Sequence, residues 1–66
     1  MKNRLAEFRR SRGLTQAELS HLSNVSLAQL YRIENYSKTT LPTAKKLVTV
    51  LKYPVFEVFP YLQKFA

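Results

Sequence analysis

The chain has no cysteine and a single histidine, His21, among its 66 residues. Without thiols it can form neither a disulfide nor a thiolate metal site, and one imidazole supplies too few ligands for a zinc site. We therefore expect no metal and no other cofactor. A chain this short buries only ~60% of the surface that its unfolded form exposes, so its core should be small and its stability modest.

Glycine and acidic residues are also scarce. With Gly13 as its only glycine, the chain has no glycine-rich phosphate-binding loop. The four carboxylates belong to Glu7, Glu18, Glu34 and Glu57. The single histidine has no visible partner for acid–base or nucleophilic chemistry. We expect a protein that is not an enzyme and has no small-molecule substrate.

Long apolar runs are missing as well. No run approaches the ~20 residues of a membrane span, and the N-terminal segment lacks the form of a signal peptide. The expected location is therefore the cytoplasm, with no membrane partner.

Positive charge is what the chain has in excess. Lysine and arginine number 11 against 4 acidic residues, a formal charge of +7, and five of the 11 lie in the first twelve residues. This charge suits a polyanionic partner. A solvated basic surface explains the charge equally well, so charge alone leaves both readings open.

Apolar residues recur at helical spacing, which predicts an all-α domain of about five short helices. Helix one covers residues 2–12 and buries Leu5 and Phe8. A Thr15–Glu18 capping box begins helix two, which runs to about residue 23. Helix two is expected to bury Leu19 and Leu22, and it ends at Asn24, which tolerates a left-handed turn.

The second half of the chain continues the pattern. Ser26 is the expected N-cap of helix three, residues 27–35, and Thr40 that of helix four, with Pro42 in its first turn. The apolar stripe of helix four is Leu41, Ala44, Leu47, Val48 and Leu51. Pro54 precedes a short fifth helix, residues 55–59, and Pro60 ends it.

Helix three is amphipathic. At 3.6 residues per turn, Leu30 and Ile33 face inward. The opposite side carries Ala28, Tyr31, Arg32 and Asn35, with Leu27 at the border. A helix pair spanning about residues 15–35 can place such a second helix in the DNA major groove.

Arg32 is the expected base-reading residue of that outward side. Its guanidinium can bind guanine O6 and N7 together. The alternative interpretation is an exposed arginine that makes a single phosphate contact. Leu27 and Ala28 can touch a thymine methyl group, and Gln29 is long enough to reach a base edge or a phosphate.

Three motifs carry a resemblance to a known family. Leu14-Thr-Gln-Ala-Glu-Leu, Asn-Val-Ser26 and Tyr-Arg-Ile-Glu-Asn35 resemble the lambda-repressor and Cro type of helix-turn-helix, also called the Xre family. The likeness covers about residues 4–59. It implies a lambda-repressor-like bundle in a single domain, residues 1–66.

The resemblance also implies roles for individual positions. Gln16 matches a glutamine that binds phosphate and braces the recognition helix, and Arg9 and Glu34 match a partly buried ion pair. Base contacts are expected from Leu27, Ala28, Gln29 and Arg32. Phosphate contacts are expected from Thr15, Gln16, Ser26, Tyr31, Asn35, Tyr36, Ser37 and Lys38. If Arg9 is structural, the basic residues of helix one left for DNA are Arg4, Arg10 and Arg12.

Several positions depart from the family pattern. Asn24 stands where glycine is usual, and Tyr36 replaces a common glycine in the phosphate-binding loop. Ser20 replaces an alanine and brings a hydroxyl that needs a partner. Leu27 and Ala28 are apolar where relatives often carry polar residues. Recognition of the DNA sequence should therefore depend more on Arg32 and on DNA shape.

The C-terminal tail, residues 60–66, is rich in aromatic and apolar side chains. One interpretation is a two-fold dimer interface, and the other is a tail folded back over helices one and four. The residues expected to form the dimer contact are Phe56, Phe59, Tyr61, Leu62 and Phe65.

These features predict a sequence-specific regulator that binds double-stranded DNA as a homodimer, a repressor of the phage Cro-like, plasmid or restriction–modification controller type. One alternative is an adaptor or antitoxin-like module that uses the same fold to bind a protein. A weaker alternative is membrane-surface binding through helix one, but Leu5 and Phe8 are needed for the core.

Overall fold

Short helices account for most of the chain. The structure, a computed structural model, describes residues 3–36 and 39–65, with side chains up to residue 62. Its helices are α1 (Leu5–Ser11), α2 (Gln16–Ser23), α3 (Leu27–Tyr36), α4 (Leu41–Leu51), α5 (Val55–Val58) and a C-terminal 3₁₀ helix (Pro60–Phe65). The predicted all-α fold is confirmed, and the described ranges contain no strand.

The predicted signals at the ends of α2 and the start of α3 are all present. The Thr15 hydroxyl accepts from the Glu18 N–H at 3.1 Å, and the Glu18 carboxylate accepts from the Thr15 N–H at 2.8 Å. Asn24 ends α2 with a left-handed φ of 61°. The Ser26 hydroxyl accepts from the Gln29 N–H at 3.2 Å, which caps α3.

The start of α4 differs from the prediction. Thr40 has the extended backbone of an N-cap and Pro42 lies in the first turn. The Thr40 hydroxyl, however, makes no capping bond and donates to the Thr43 hydroxyl at 3.2 Å. An N-cap hydroxyl accepts from the second or third amide of its helix. Pro42 is the second residue of α4 and has no N–H, so the Thr43 amide is the one that a Thr40 cap would use.

Helix α1 is shorter than the predicted range 2–12. Asn3 lies before it, where its side-chain carbonyl accepts from the Leu5 N–H at 3.0 Å. The same side chain donates to the Ile33 carbonyl at 2.9 Å. Asn3 therefore satisfies an amide of α1 and ties that helix to α3. Residue 2 lies outside the described residues.

The core gathers residues from every helix. It consists of Leu5, Phe8, Leu19, Val25, Leu30, Ile33, Ala44, Leu47, Val48, Leu51, Val58, Phe59 and Leu62. The prediction that Leu22 is buried is wrong, since its side chain is 57% exposed. The inward side of α2 is formed by Leu19 and Ser23, one turn apart, and the Ser23 hydroxyl donates to the Leu19 carbonyl at 2.7 Å.

The C-terminal segment completes this core. Phe59 and Leu62 are fully or nearly fully buried, so the dimer-contact interpretation is wrong for these two residues, and Leu62 follows the alternative of a tail folded back on the domain. The main reason is that so small a domain needs their apolar area inside. Phe56 and Tyr61 are half-buried, and the side chain of Phe65 lies outside the described part. Within the described ranges, no helix has the length and apolar character needed to cross a bilayer.

Candidate nucleic-acid interface

The outward side of α3 is an exposed surface supported by a buried one. Leu30 and Ile33 are almost completely buried, as predicted, and hold the helix against the core. The exposed side chains on the other side are Leu27, Ala28, Gln29, Tyr31 and Arg32. Leu27 and Tyr31 are 48% and 54% exposed, an unusual display of apolar area for a helix with no covering element.

Arg32 stands at one edge of this surface. It makes no hydrogen bond or ion pair with any described residue. It lines a groove of about 380 Å³ between α3 and the start of α4, which we call the Arg32 groove. The hydroxyl-bearing residues of that groove are Ser26, Thr39, Thr40 and Thr43. A guanidinium beside hydroxyl donors suits phosphate oxygens or the acceptors of a base edge.

A buried ion pair holds the other end of α3. Arg9 of α1 donates to Glu34 through Nε at 2.7 Å and through Nη2 at 3.2 Å. The two side chains are only 9% and 5% exposed. The third branch, Nη1, donates to the Leu14 carbonyl at 2.7 Å. The predicted ion pair is therefore present, and it joins α1, the loop before α2 and α3.

Gln16 extends this network toward the surface. Its side-chain amide donates to Glu34 Oε1 at 3.0 Å, which braces the start of α2 against α3 as expected. One amide hydrogen and the carbonyl oxygen of Gln16 are left over. Gln16 lines a second groove of about 490 Å³, the Gln16 groove, whose other polar residues include Arg10, Thr15 and Asn35.

The hydroxyl groups at the helix starts keep capacity for a ligand. The Thr15 and Ser26 oxygens each accept from a backbone amide of their own helix, so their hydroxyl hydrogens can still donate to a phosphate. Asn35 uses its amide on the Tyr31 carbonyl at 2.8 Å. Tyr36 is 70% exposed at the end of α3. Ser37 and Lys38 lie outside the described residues.

The arginines at the two ends of α1 are partly used within the fold. Arg12 donates from Nε to the Leu51 carbonyl at 2.8 Å, and its guanidinium lies 4.4 Å from the centre of the Tyr53 ring. It therefore binds the negative end of the α4 dipole. Arg4 pairs with Glu7 at 2.6 Å. Of the three candidates only Arg10 makes no such bond to the described residues, whereas Arg4 and Arg12 use part of their donors within the fold.

Two features of the site are not indicated by the sequence patterns. The threonines of the Arg32 groove form no motif, although the run Thr-Thr-Leu-Pro-Thr43 concentrates hydroxyls at the start of α4. Ser20 was noted only as a hydroxyl in need of a partner. Its Oγ donates to the Val25 carbonyl at 2.6 Å, which closes the turn between α2 and α3.

Comparison with known proteins identifies a family for the chain. A family model described as helix-turn-helix matches residues 5–58. The match begins at the first residue of α1 and ends at the last residue of α5. No curated protein matches the chain. No solved structure matches it either.

Proposed function

The chain belongs to the lambda-repressor/Xre-type helix-turn-helix family, and on that premise we propose that it is a small repressor that binds a palindromic operator as a homodimer. Membership of this family makes the chain a transcription regulator that binds double-stranded DNA. The proposal adds repression, the palindrome and the dimer, as in phage Cro-like, plasmid or restriction–modification controllers. A cytoplasmic location belongs to the same proposal, because a regulator must share the compartment of its operator.

The single observation that carries the proposal is the exposed side of α3, with Arg32 at its edge making no bond to any residue that the structure describes. In the proposal, residues 27–35 lie in the major groove. Arg32 reads a guanine, Leu27 and Ala28 contact thymine methyl groups, and Gln29 reaches a base edge. Because Leu27 and Ala28 cannot donate hydrogen bonds, much of the specificity falls on Arg32 and on DNA deformability.

Phosphate contacts come from the borders of the same surface. The Gln16 groove offers the one spare amide hydrogen of Gln16 and the charge of Arg10. The proposed phosphate-contacting residues are Thr15, Gln16, Ser26, Tyr31, Asn35, Tyr36, Ser37 and Lys38. Such contacts set the register of the protein on the duplex and do not read sequence themselves.

The proposed dimer rests on Phe56 and Tyr61, whose side chains remain half-exposed after the C-terminal segment has packed. A two-fold dimer would place the two recognition helices ~34–36 Å apart, one turn of DNA. Phe65 belongs to the proposed contact on sequence grounds alone.

A selection of binding sites from random duplexes, run at two salt concentrations, tests the proposal. We expect a pseudo-palindrome with half-site centres ~10 base pairs apart, and affinity that falls as salt rises. A single asymmetric half-site would remove the dimer from the proposal. Recovery of no preferred sequence at either salt concentration would remove sequence-specific repression.

One observation favours the adaptor or antitoxin-like alternative. Leu22 is 57% exposed and lies with Leu14, Ala17 and His21 around a mostly apolar depression on α2. Such a patch can bind a protein. Leu22→Ser separates the two functions, because a regulator of the proposed kind keeps its operator affinity in this variant. Loss of operator affinity in a folded Leu22→Ser protein would show that the Leu22 patch is not separate from the DNA-binding surface.

A further inference from the structure

The hydroxyl of Tyr61 holds a backbone segment far from it in the chain. It accepts from the Thr39 N–H at 2.8 Å and donates to the Thr39 carbonyl at 3.4 Å. Tyr61 belongs to the C-terminal 3₁₀ helix, whereas Thr39 lies just before α4. One side-chain group thus satisfies both polar groups of one residue, 22 positions away.

The tyrosine ring is itself held in place by the core. It packs edge-on against the ring of Phe59, with centroids 6.5 Å apart and planes at 86°. Phe59 is completely buried, and the Leu62 N–H donates to the Phe59 carbonyl at 3.1 Å. The Tyr61 hydroxyl is therefore attached to a rigid base.

Thr39 lies on the wall of the Arg32 groove, together with Thr40 and Thr43. No side-chain cap holds the start of α4, since the Thr40 hydroxyl bonds to Thr43 and not to an amide. Among the described contacts, the bond from Tyr61 is the one that ties the Thr39 backbone to another part of the fold.

We propose that Tyr61 is a positioning residue for DNA binding, whose hydroxyl holds the Thr39 backbone and thereby sets the wall of the Arg32 groove. This inference rests on the proposed function, since it takes the DNA backbone or a base edge as the occupant of the groove. Tyr61 itself touches no DNA in this arrangement. Its contribution is that the groove is formed before the duplex arrives, so less ordering is needed on binding.

The state of the hydroxyl fits this role. Burial raises the pKa of Tyr61 above the usual value for tyrosine, against a smaller lowering by the hydrogen bond from the Thr39 backbone. The group therefore keeps its proton throughout the neutral range and can donate to the Thr39 carbonyl while it accepts from the N–H.

Tyr61→Phe tests the proposal, and Tyr53→Phe is its matched control. Both side chains are half-buried, and both variants keep the ring and lose one hydroxyl. The Tyr53 hydroxyl bonds to the Ser11 hydroxyl at 2.8 Å, outside both grooves. Affinity for a random duplex of about 20 base pairs, urea unfolding and amide hydrogen exchange are measured on all three full-length proteins.

We expect Tyr61→Phe to weaken duplex binding by roughly two- to tenfold, the range for one lost hydrogen bond, and to speed exchange of the Thr39 amide. Tyr53→Phe should bind as the wild type does, even if urea unfolds it as readily as Tyr61→Phe. A loss of duplex affinity in Tyr61→Phe but not in Tyr53→Phe distinguishes positioning of the groove from a general loss of stability.

Three results would overturn the inference. They are wild-type affinity in Tyr61→Phe, equal losses of affinity in both variants, and an unprotected Thr39 amide in the wild-type protein. The last needs no variant and therefore holds even if Tyr61→Phe does not fold. Failure of the wild-type protein to bind any duplex would instead overturn the proposed function, and with it the role of Tyr61 in DNA binding.

Discussion

Arg9 and Arg32 are arginines on two helices that pack together, α1 and α3, but one is buried and the other is exposed. Arg9 is 8% exposed and uses all three nitrogens in bonds to Glu34 and the Leu14 carbonyl. Arg32 is exposed and unbonded within the described residues. A paired guanidinium inside the protein stabilises the fold, whereas an unpaired one on an ordered helix remains free for a ligand.

Helix α3 carries both kinds of group only two positions apart. Residues 32 and 34 point about 200° apart around the helix axis, so Glu34 turns inward where Arg32 turns outward. The bonds from Arg9 and Gln16 to Glu34 therefore also set the rotation of α3, and with it the direction of the Arg32 side chain. The buried network positions the exposed surface.

The largest expected effect comes from breaking the buried network. Glu34→Ala leaves the Arg9 guanidinium buried without its carboxylate, and it removes the acceptor of Gln16. Loss of one partner from such a pair costs ~3–5 kcal/mol, a large share of the stability of a small domain. Urea unfolding monitored by circular dichroism measures the loss.

Glu7→Ala is the matched control for that variant. Glu7 pairs with Arg4 at 2.6 Å, but the two side chains are 58% and 49% exposed. An exposed pair contributes ~0–1 kcal/mol, and less in high salt. Equal destabilisation by the two alanines would show that the burial of the Arg9–Glu34 pair has no energetic consequence.

Arg32→Ala is expected to act on binding and not on folding. On the selected operator it should cost ~1–3 kcal/mol and relax specificity at one base pair, with a much smaller loss on random duplex. Arg10→Ala is the comparison, because a phosphate contact is lost equally on both duplexes and lowers the salt slope by ~1. If Arg32→Ala gives that second pattern, Arg32 contacts phosphate and reads no base.

The start of α2 links the two regions, since it places Gln16 between them. Thr15→Ala removes the hydroxyl that accepts from the Glu18 N–H and should lower the free energy of unfolding by ~1 kcal/mol. Thr49→Ala provides the control, because the Thr49 hydroxyl donates only to the Lys45 carbonyl within α4. There we expect no loss, since alanine has the higher helix propensity. A Thr49→Ala loss as large as that of Thr15→Ala would refute the capping interpretation.

The smallest expected effect is a dependence on acid pH. Hydrogen bonds from the Thr15 backbone, and second from its side chain, hold the pKa of Glu18 below that of a free glutamate. A carboxyl whose pKa is lowered by folding stabilises the protein above its unfolded pKa, about 4.3, and loses that contribution as the pH falls through the folded value. Glu18→Gln should therefore melt lower than the wild type at pH 7, with a gap that narrows toward pH 3. A gap independent of pH would contradict this assignment.

Most of the local structure follows from short sequence patterns. The Thr15–Glu18 box, the left-handed Asn24 and the Ser26 cap were predicted from residue types and are present. They depend on neighbours three or four residues away, so the pattern contains all the partners involved. The ion pair of Arg9 and Glu34 was inferred only through the family resemblance, because its partners lie 25 residues apart.

The wrong predictions concern which of several apolar or basic residues the fold uses. Leu22 and Ser23 are both compatible with an inward position on α2, and the fold buries Ser23 and exposes Leu22. Arg12 is a basic residue of the kind that binds DNA. In the structure its guanidinium instead donates to the Leu51 carbonyl at the end of α4. Phe59, at the end of the predicted fifth helix, and Leu62, in the tail, were assigned to a dimer contact, but the core buries both.

The order of residues alone determined that the chain forms short helices, and it determined the signals that start α2 and α3, because those properties depend on contacts within one or two turns. The tertiary structure decided which charged and apolar groups are used up inside the molecule and which are left for a partner. That choice depends on distances between segments far apart in the chain. It separates Arg9 from Arg32, and it places the hydroxyl of Tyr61 against Thr39.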